Sequence, residues 1–334
     1  MTLIQECLKN NQVKNKPIWL MRQAGRYLPE FREIRSKNLN FIELCLNKKL
    51  SSEITLQPLK RFDFDAAIIF SDILMLPYGI GQDVEFKKNI GPILKDLNID
   101  DILKINENSF KEKLNPVYEA INLVKNNKLV DNKDVIGFVG APWTLLVYML
   151  NKKSPKKDLN RDLLKNKKRI DKLLKIILKF LKIHIENQVK SGASIIQIFD
   201  SWAGLVEEND LDKYIYSPTL ELVNFTKLLN VPVLCFPRNI KNYKNFTQIV
   251  KPDGISIDYN VDPKVIINDI KIPVQGGLDP KILLSGKEEL RKQALKYLDI
   301  FKDHPYIFNL GHGVIPETDP NMVDYLVKLI KDFK

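Results

Sequence analysis

Seven short apolar runs punctuate the chain: DAAIIF (65–70), VIGFVG (135–140), SIIQIF (194–199), VPVLCF (231–236), GISID (254–258), IPVQGG (272–277) and YIFNL (306–310). Each is mostly Ile, Val or Phe, the pattern of strands buried on both faces. Between most of them apolar positions recur at helical spacing, as in 158–190, 210–229 and 287–301. Strand and helix in alternation predict a parallel sheet. Seven strands over this length predict a (β/α)8 TIM barrel, a single α/β domain with one strand irregular or hidden. A doubly wound open sheet is the alternative, but no GxGxxG follows the early strands, which weighs against a dinucleotide-binding version. No composition shift marks a second domain. Residues 1–334 therefore read as one domain, with 1–16 as an N-terminal extension leading into segment 17–35. The Asn- and Lys-rich stretch near 87–114 reads as a long connection.

Composition narrows the class. At 334 residues, 44% hydrophobic and 28% charged, the chain fits a soluble globular protein. The N-terminus MTLIQECLKN lacks the basic-then-apolar order of a secretory signal. The longest uncharged run, 135–151, is broken by Pro142 and falls short of the roughly 20 apolar residues a membrane span needs. It reads as buried core. Cys7, Cys45 and Cys235 are scattered, which suits a reducing cytoplasm.

The net charge of +11 raises the possibility of nucleic acid. Its densest source is 152–190, where Leu163, Ile170, Leu174, Ile177, Leu181 and Ile185 alternate with Lys165, Lys168, Lys172, Lys175, Lys179 and Lys182 on another face. Almost no aromatic residue interrupts that stripe to stack bases. It reads as the solvated face of an amphipathic helix, with a field that can still steer a small anion.

On a barrel, chemistry sits just past the strands, at their C-terminal ends. Asp72, Ser201, Arg238, Asp258 and His312 fall there. Arg22 and Arg26 lie in PIWLMRQAGRYLPEFREIR (17–35), although lysine is the default basic residue elsewhere. Gly25 and Pro29 predict a loop, and guanidinium forks pair bidentately with carboxylates as lysine cannot. Surface arginines in weak ion pairs are the plainer alternative. Asp72, between long apolar runs, is either an N-cap for the following helix or a carboxylate held to stabilise cationic charge. Tyr148 is a core tyrosine or a ligand contact, and Ser201 lacks the GxSxG elbow of a nucleophile. His312 is bracketed by glycines at a strand end. No histidines or cysteines stand at metal-ligand spacing, and there is no Walker loop, so neither metal nor cofactor is expected.

These blocks resemble the uroporphyrinogen decarboxylase family. PIWLMRQAGRYLPEFREIR is similar to its first signature and IGFVGAPWTLLVYML to its second. ITLQPLKRFDFDAAIIFSDIL (54–74), IFDSWAG (198–204), QGGLDP (275–280) and FNLGHGVIPETDP (308–320) follow in the family's order. The resemblance runs from about residue 17 to the C-terminus. It implies a TIM-barrel homodimer with facing clefts: a cytoplasmic carboxy-lyase of heme biosynthesis. Four CO2 would leave the acetate arms of uroporphyrinogen III, giving coproporphyrinogen III without a cofactor.

By the same resemblance, Arg22, Gln23, Ala24, Gly25 and Arg26 would bind substrate, the arginines through carboxylates and the intervening residues by shaping the loop. Asp72 would accept the pyrrole N–H bonds and stabilise the cationic intermediate, with Arg22 and Tyr148 also catalytic. Tyr148, Ser201 and His312 would contact carboxylate arms, and Phe138 would line the cleft. The proton donor is open between Arg22 and a bound water. Two departures concern the rim: MLNKKSPKKD follows Tyr148 where an acidic residue and glycines are usual, and Gly277 stands where Asn is common. Related zinc-dependent methyltransferases need a thiolate ligand, and LGHGV has glycine there. A non-catalytic tetrapyrrole carrier is the reading from another class, and Asp72 argues against it.

Overall fold

The computed structural model describes residues 1–10, 15–38, 40–87, 90–96, 98–155 and 159–333, without the side chains of 10, 161 and 163. All seven apolar runs become strands. In chain order the described strands are β1 (Ala66–Ile68), β2 (Val84–Lys87), β3 (Gly91–Leu94), β4 (Asp134–Gly140) and β5 (Ile195–Asp200). They continue with β6 (Val233–Pro237), β7 (Gly254–Ile257), β8 (Val274–Gly276) and β9 (Tyr306–Ile307). β1 and β4 to β9 form one curled sheet in the order β1-β4-β5-β6-β7-β8-β9, every pair parallel. The stretch expected to be a plain connection folds instead into the antiparallel β2–β3 hairpin and the helix Ile99–Lys104. Its polar composition hid a ladder that needs only four residues a side.

The hidden strand lies in the arginine segment itself. Ile18 bridges in parallel to Phe308, and Phe308 N–H donates to the Pro17 carbonyl at 2.7 Å. On the other flank Asp65 N–H donates to the Ile18 carbonyl at 2.9 Å, while Ile18 N–H donates to the Asp65 carboxylate at 2.7 Å. Residues 17–20 thus span the gap between β9 and β1 and close the barrel. They escape a strand pattern because Pro17 has no N–H and a side chain replaces one ladder acceptor.

Alternation sorts the buried residues into two sets. Trp19, Ala66, Ile68, Ile136, Ile195, Leu234 and Ile307 face the barrel interior, where Ile4, Cys7 and Leu8 of the helix Leu3–Asn10 join them. Thr2 and Gln5 hydrogen-bond Asp134 at the start of β4, so this helix plugs the N-terminal end. Above the apolar layer, Trp19 Nε1 donates to Gln275 Oε1 at 2.8 Å, and Gln275 Nε2 donates to Ser256 Oγ at 2.8 Å and to Gln197 Oε1 at 3.0 Å. Those buried amides find partners across the bore, which ties four strands in one register.

The opposite strand faces pack under the helices. The uncharged run 135–151 is β4 followed by the helix Pro142–Asn151, with Pro142 in its first turn, where its missing N–H costs nothing. The lysine-rich helix spans Lys167–Lys190, shorter than the expected 158–190 segment: 158 lies outside the described residues, Arg161–Leu164 form a short 3-10 helix, and Asn166 caps the helix start. It buries Ile170, Leu173, Ile177, Leu181 and Ile185, and its lysines pair with acids of neighbouring helices, as in Lys179–Glu107 and Lys182–Glu221. His184 on its inner face meets the Tyr118 hydroxyl at 3.0 Å, a satisfied core histidine pushed down to about 3 by burial. No helix among the described residues is long and apolar enough to cross a membrane.

Candidate active site

Segment 21–28 is a loop, as Gly25 and Pro29 predict, and the helix Pro29–Lys37 follows it. Because residues 17–20 are a barrel strand, the loop emerges at the C-terminal mouth. It is braced on both sides. Met21 N–H donates to Asn309 Oδ1 at 2.9 Å and Val314 N–H to the Met21 carbonyl at 2.9 Å, which binds it to the β9 side. Gln23 is fully buried: its Oε1 accepts from Leu20 N–H (3.1 Å) and its Nε2 donates to the Ala66 carbonyl (2.9 Å). The Gln23 side chain is therefore consumed inside the protein and leaves the mouth to its neighbours. Ala24 and Gly25 are half-buried beside it.

Arg22 adopts φ 63°, a left-handed conformation that a non-glycine residue holds only under surrounding constraint. Its stem lies against Gly313, where a Cβ would fall 2.7 Å from Cγ of Arg22. That is the physical role of the glycine after His312. By area the Arg22 side chain is open to the mouth, yet dense protein surrounds it. Burial, with Arg26 and Arg238 close by, pulls its guanidinium below the ordinary arginine value, while Asp72 and Tyr148 oppose the shift.

Asp72 follows β1 by four residues. One oxygen accepts from Leu74 N–H at 2.8 Å, which closes a turn before the next helix, so the expected helix-cap role is not the one it plays. The helix Met75–Gly79 starts after Leu74 and takes no side-chain cap from it. Burial lifts the Asp72 carboxyl to about 6, against the opposing pull of the Leu74 N–H and Arg22. Such a group is an anion at neutral pH with little stabilisation to spare, ready to gain from a cation placed next to it.

Tyr148 projects from the helix Pro142–Asn151, half-buried, its ring edge-on to Trp202 at 6.0 Å. Burial and Asp72 raise its hydroxyl. His312 is pushed down to about 3 by burial and by Arg22 and Arg238, so it stands neutral at physiological pH. Phe138 meets Phe199 at 5.6 Å, and Phe199 meets Phe236 at 6.4 Å, both edge-on. These three rings, from successive strands, make an apolar floor at the mouth. Ser201 follows β5 directly, half-buried at the rim.

Arg22, Arg26, Asp72, Tyr148 and His312 are thus brought into one electrostatic neighbourhood, with Phe138 beneath and Ser201 at the edge. The sequence reading placed Arg238 at a strand end and went no further, and it missed Phe199 and Phe236. The signal was partial: Phe199 and Phe236 are register partners on β5 and β6, whereas Phe138 on β4 stands opposite Gln197, two residues earlier. Gly277 directly follows β8. Its φ is 102°, a Cβ there would fall 2.6 Å from Tyr297 Cε1, and the Tyr297 hydroxyl donates to its carbonyl at 2.7 Å. The Tyr297 ring fills the space a side chain at 277 would need, so a larger residue here would meet that ring. Part of the other departure, 156–158, lies outside the described residues. Among the described residues no three His, Cys, Asp or Glu side chains converge as a metal site.

The fold and the mouth together define a β/α barrel whose mouth gathers arginines around Asp72, a carboxylate raised by burial. The chain matches the family model described as uroporphyrinogen decarboxylase (URO-D) over residues 1–333. It is 42% identical to the uroporphyrinogen decarboxylase of Rickettsia bellii (strain RML369-C), covering 100% of this chain and 99% of that one. It is 41% identical to the Rickettsia felis (strain ATCC VR-1525 / URRWXCal2) protein of the same name, covering 97% and 95%. Among solved structures it superposes on a methyltransferase from Methanosarcina mazei with a TM-score of 0.78 at 16% identity, covering 100% and 99%, a likeness of fold alone. The chain belongs to the uroporphyrinogen decarboxylase family.

Proposed function

We propose that this mouth is where the chain removes the four acetate carboxyls of uroporphyrinogen III, giving coproporphyrinogen III and four CO2 without a cofactor. The observation that carries the reading is Asp72: a carboxylate lifted to about 6, one oxygen held by Leu74 N–H, beside arginines that pair with no acid among the described residues. A substrate with eight carboxylates supplies what those arginines lack. Its pyrrole N–H groups supply donors for the Asp72 oxygens.

The chemistry needs both signs of charge. Protonation of a pyrrole carbon turns the ring into an iminium-like acceptor. The bond between an acetate methylene and its carboxyl carbon then breaks, CO2 leaves, and the electron pair flows into the ring. Protonation of the resulting exocyclic methylene gives the methyl group, and loss of the first proton from the ring carbon restores the neutral pyrrole. Positive charge peaks at the ring, where Asp72 stabilises it in a site already arranged for it, an effect of typically about 3–4 kcal/mol. Arg22 and Arg26 hold carboxylates, with the backbone of Gln23, Ala24 and Gly25 shaping their loop. Tyr148, Ser201 and neutral His312 donate to further arms, and Phe138 lines the apolar floor. The proton comes from Arg22 or from a bound water.

In this reading residues 1–334 act as one domain, with 1–16 as an extension that plugs the barrel, in a cytoplasmic homodimer. The test is anaerobic incubation of metal-stripped protein with uroporphyrinogen III, resolving products by carboxylate number. Stepwise hepta- to tetracarboxylate species are expected. Tight binding without CO2 release would overturn the enzyme reading in favour of a carrier.

A further inference from the structure

Arg238 is the one arginine of the mouth that the chain's family resemblance gives no role. Asp200 on β5 stands opposite Pro237 on β6, so Ser201 and Arg238 are neighbours one residue beyond the register. The Arg238 backbone is pinned from three directions. Its N–H donates to the Asp200 carbonyl at 3.0 Å, and its carbonyl accepts from Gly204 N–H at 3.1 Å. The next residue, Asn239, donates its N–H to Asp258 Oδ2 at 2.8 Å. Asp258 is fully buried and also accepts from the Tyr243 hydroxyl at 3.0 Å and from Asn260 N–H at 2.9 Å. The β6 and β7 ends are thereby stapled together under this side chain, which leaves the chain in a preset direction.

The guanidinium, by contrast, is held by packing alone. Its Nε is buried with no hydrogen-bond partner, and no acid pairs with its terminal nitrogens among the described residues. Arg61 shows the usual alternative in the same protein, forking onto Glu30 at 2.5 and 2.9 Å. A half-buried guanidinium without an anion is unfavourable, and a second guanidinium close by adds to that cost. Arg22 and His312 both sense its charge. The arrangement makes sense once a negative group enters between them.

We propose that Arg238 is a third carboxylate-binding arginine, holding one non-reacting side-chain carboxylate of the substrate at the rim formed by Ser201, Arg238 and His312. This rests on the reading that the mouth takes a polycarboxylate tetrapyrrole, and it adds a specificity-determining residue from the β6 end. The carboxylate it holds stays bound through the reaction, so its contribution is to ground state and transition state alike.

The experiment compares wild type with Arg238→Ala, Arg238→Gln and Arg238→Lys in steady-state turnover of uroporphyrinogen III, with thermal melting as the fold check. Wild-type turnover is measured first: its failure would count against the decarboxylase reading itself. Given turnover, Ala and Gln are expected to raise KM about tenfold or more while kcat stays within a few-fold, and Lys to restore only part of the loss. A merely structural role predicts a lowered melting temperature and reduced active fraction with KM unchanged. Unchanged KM in folded Ala and Gln variants, or a loss confined to kcat, overturns the proposal. Where Ala fails to fold, the Gln variant, which keeps most of the stem, decides the same question.

Discussion

Replacing Asp72 with Asn separates what the carboxylate does for catalysis from what it does to the fold. Asn keeps the shape and an oxygen to accept from Leu74 N–H, so the turn at 72–74 survives while the charge goes. Holding a carboxylate whose pKa has risen from an ordinary 3.8 to about 6 costs the folded state about 3 kcal/mol at neutral pH if fully dry. Solvent reaching the half-buried side chain brings this to about 1–2 kcal/mol. The sign follows from linkage. Below pH 3.8 the group is protonated folded and unfolded, and nothing is lost. As pH rises from 3.8 to about 6 the unfolded chain ionises first, so stability falls, and above about 6 the whole cost is present. Asp72→Asn is therefore expected to melt roughly 1–5 °C above wild type at pH 7.5, with the gap closing toward pH 4. Its decarboxylation is expected to fall about 10²–10³-fold. Thermal melts across that pH range, beside turnover of uroporphyrinogen, check both halves. A variant that melts below wild type at pH 7.5, or that retains full turnover, would refute the assignment.

The pH profile should carry the same group: kcat/KM is expected to fall about tenfold per unit below pH 6 as Asp72 takes its proton, and an inflection near pH 4 would place the essential acid elsewhere. Arg26 is exposed at the mouth, so Arg26→Lys keeps charge and fold but loses the fork; KM should rise several-fold to about tenfold, and an unchanged KM would contradict bidentate binding. Gly313→Ala puts a methyl onto the Arg22 stem and should cost about 10²-fold in kcat/KM by moving that guanidinium, a loss absent if activity stays within threefold. Gly277→Asn strains φ 102° and presses on Tyr297, so it should lower stability by about 1–3 kcal/mol while leaving turnover per folded molecule intact; an unshifted melting temperature would mean the ring yields freely.

The sequence by itself determined seven of the barrel strands, their parallel sense and which residues stand at their C-terminal ends, while β2 and β3 escaped it. Short continuous runs of Ile, Val and Phe signal strands buried on both faces, because the composition of a segment is a local property of the chain. Residue type determined the anion reading as well, since arginine among lysines points to a planar partner. Only the tertiary structure decided that Pro17–Leu20 is the eighth strand, because its ladder borrows the Asp65 side chain from 47 residues away. The same holds for the site's electrostatics. The rise of Asp72, the neutrality of His312 and the isolation of Arg238 are sums over groups on four different strands and loops, and no local pattern carries such a sum. Gly277 and Gly313 look alike in sequence, yet one makes room for Tyr297 in the scaffold and the other for Arg22 in the cleft. Which neighbour fills the space beside a missing Cβ is a fact of packing in three dimensions, and the chain's own order does not contain it.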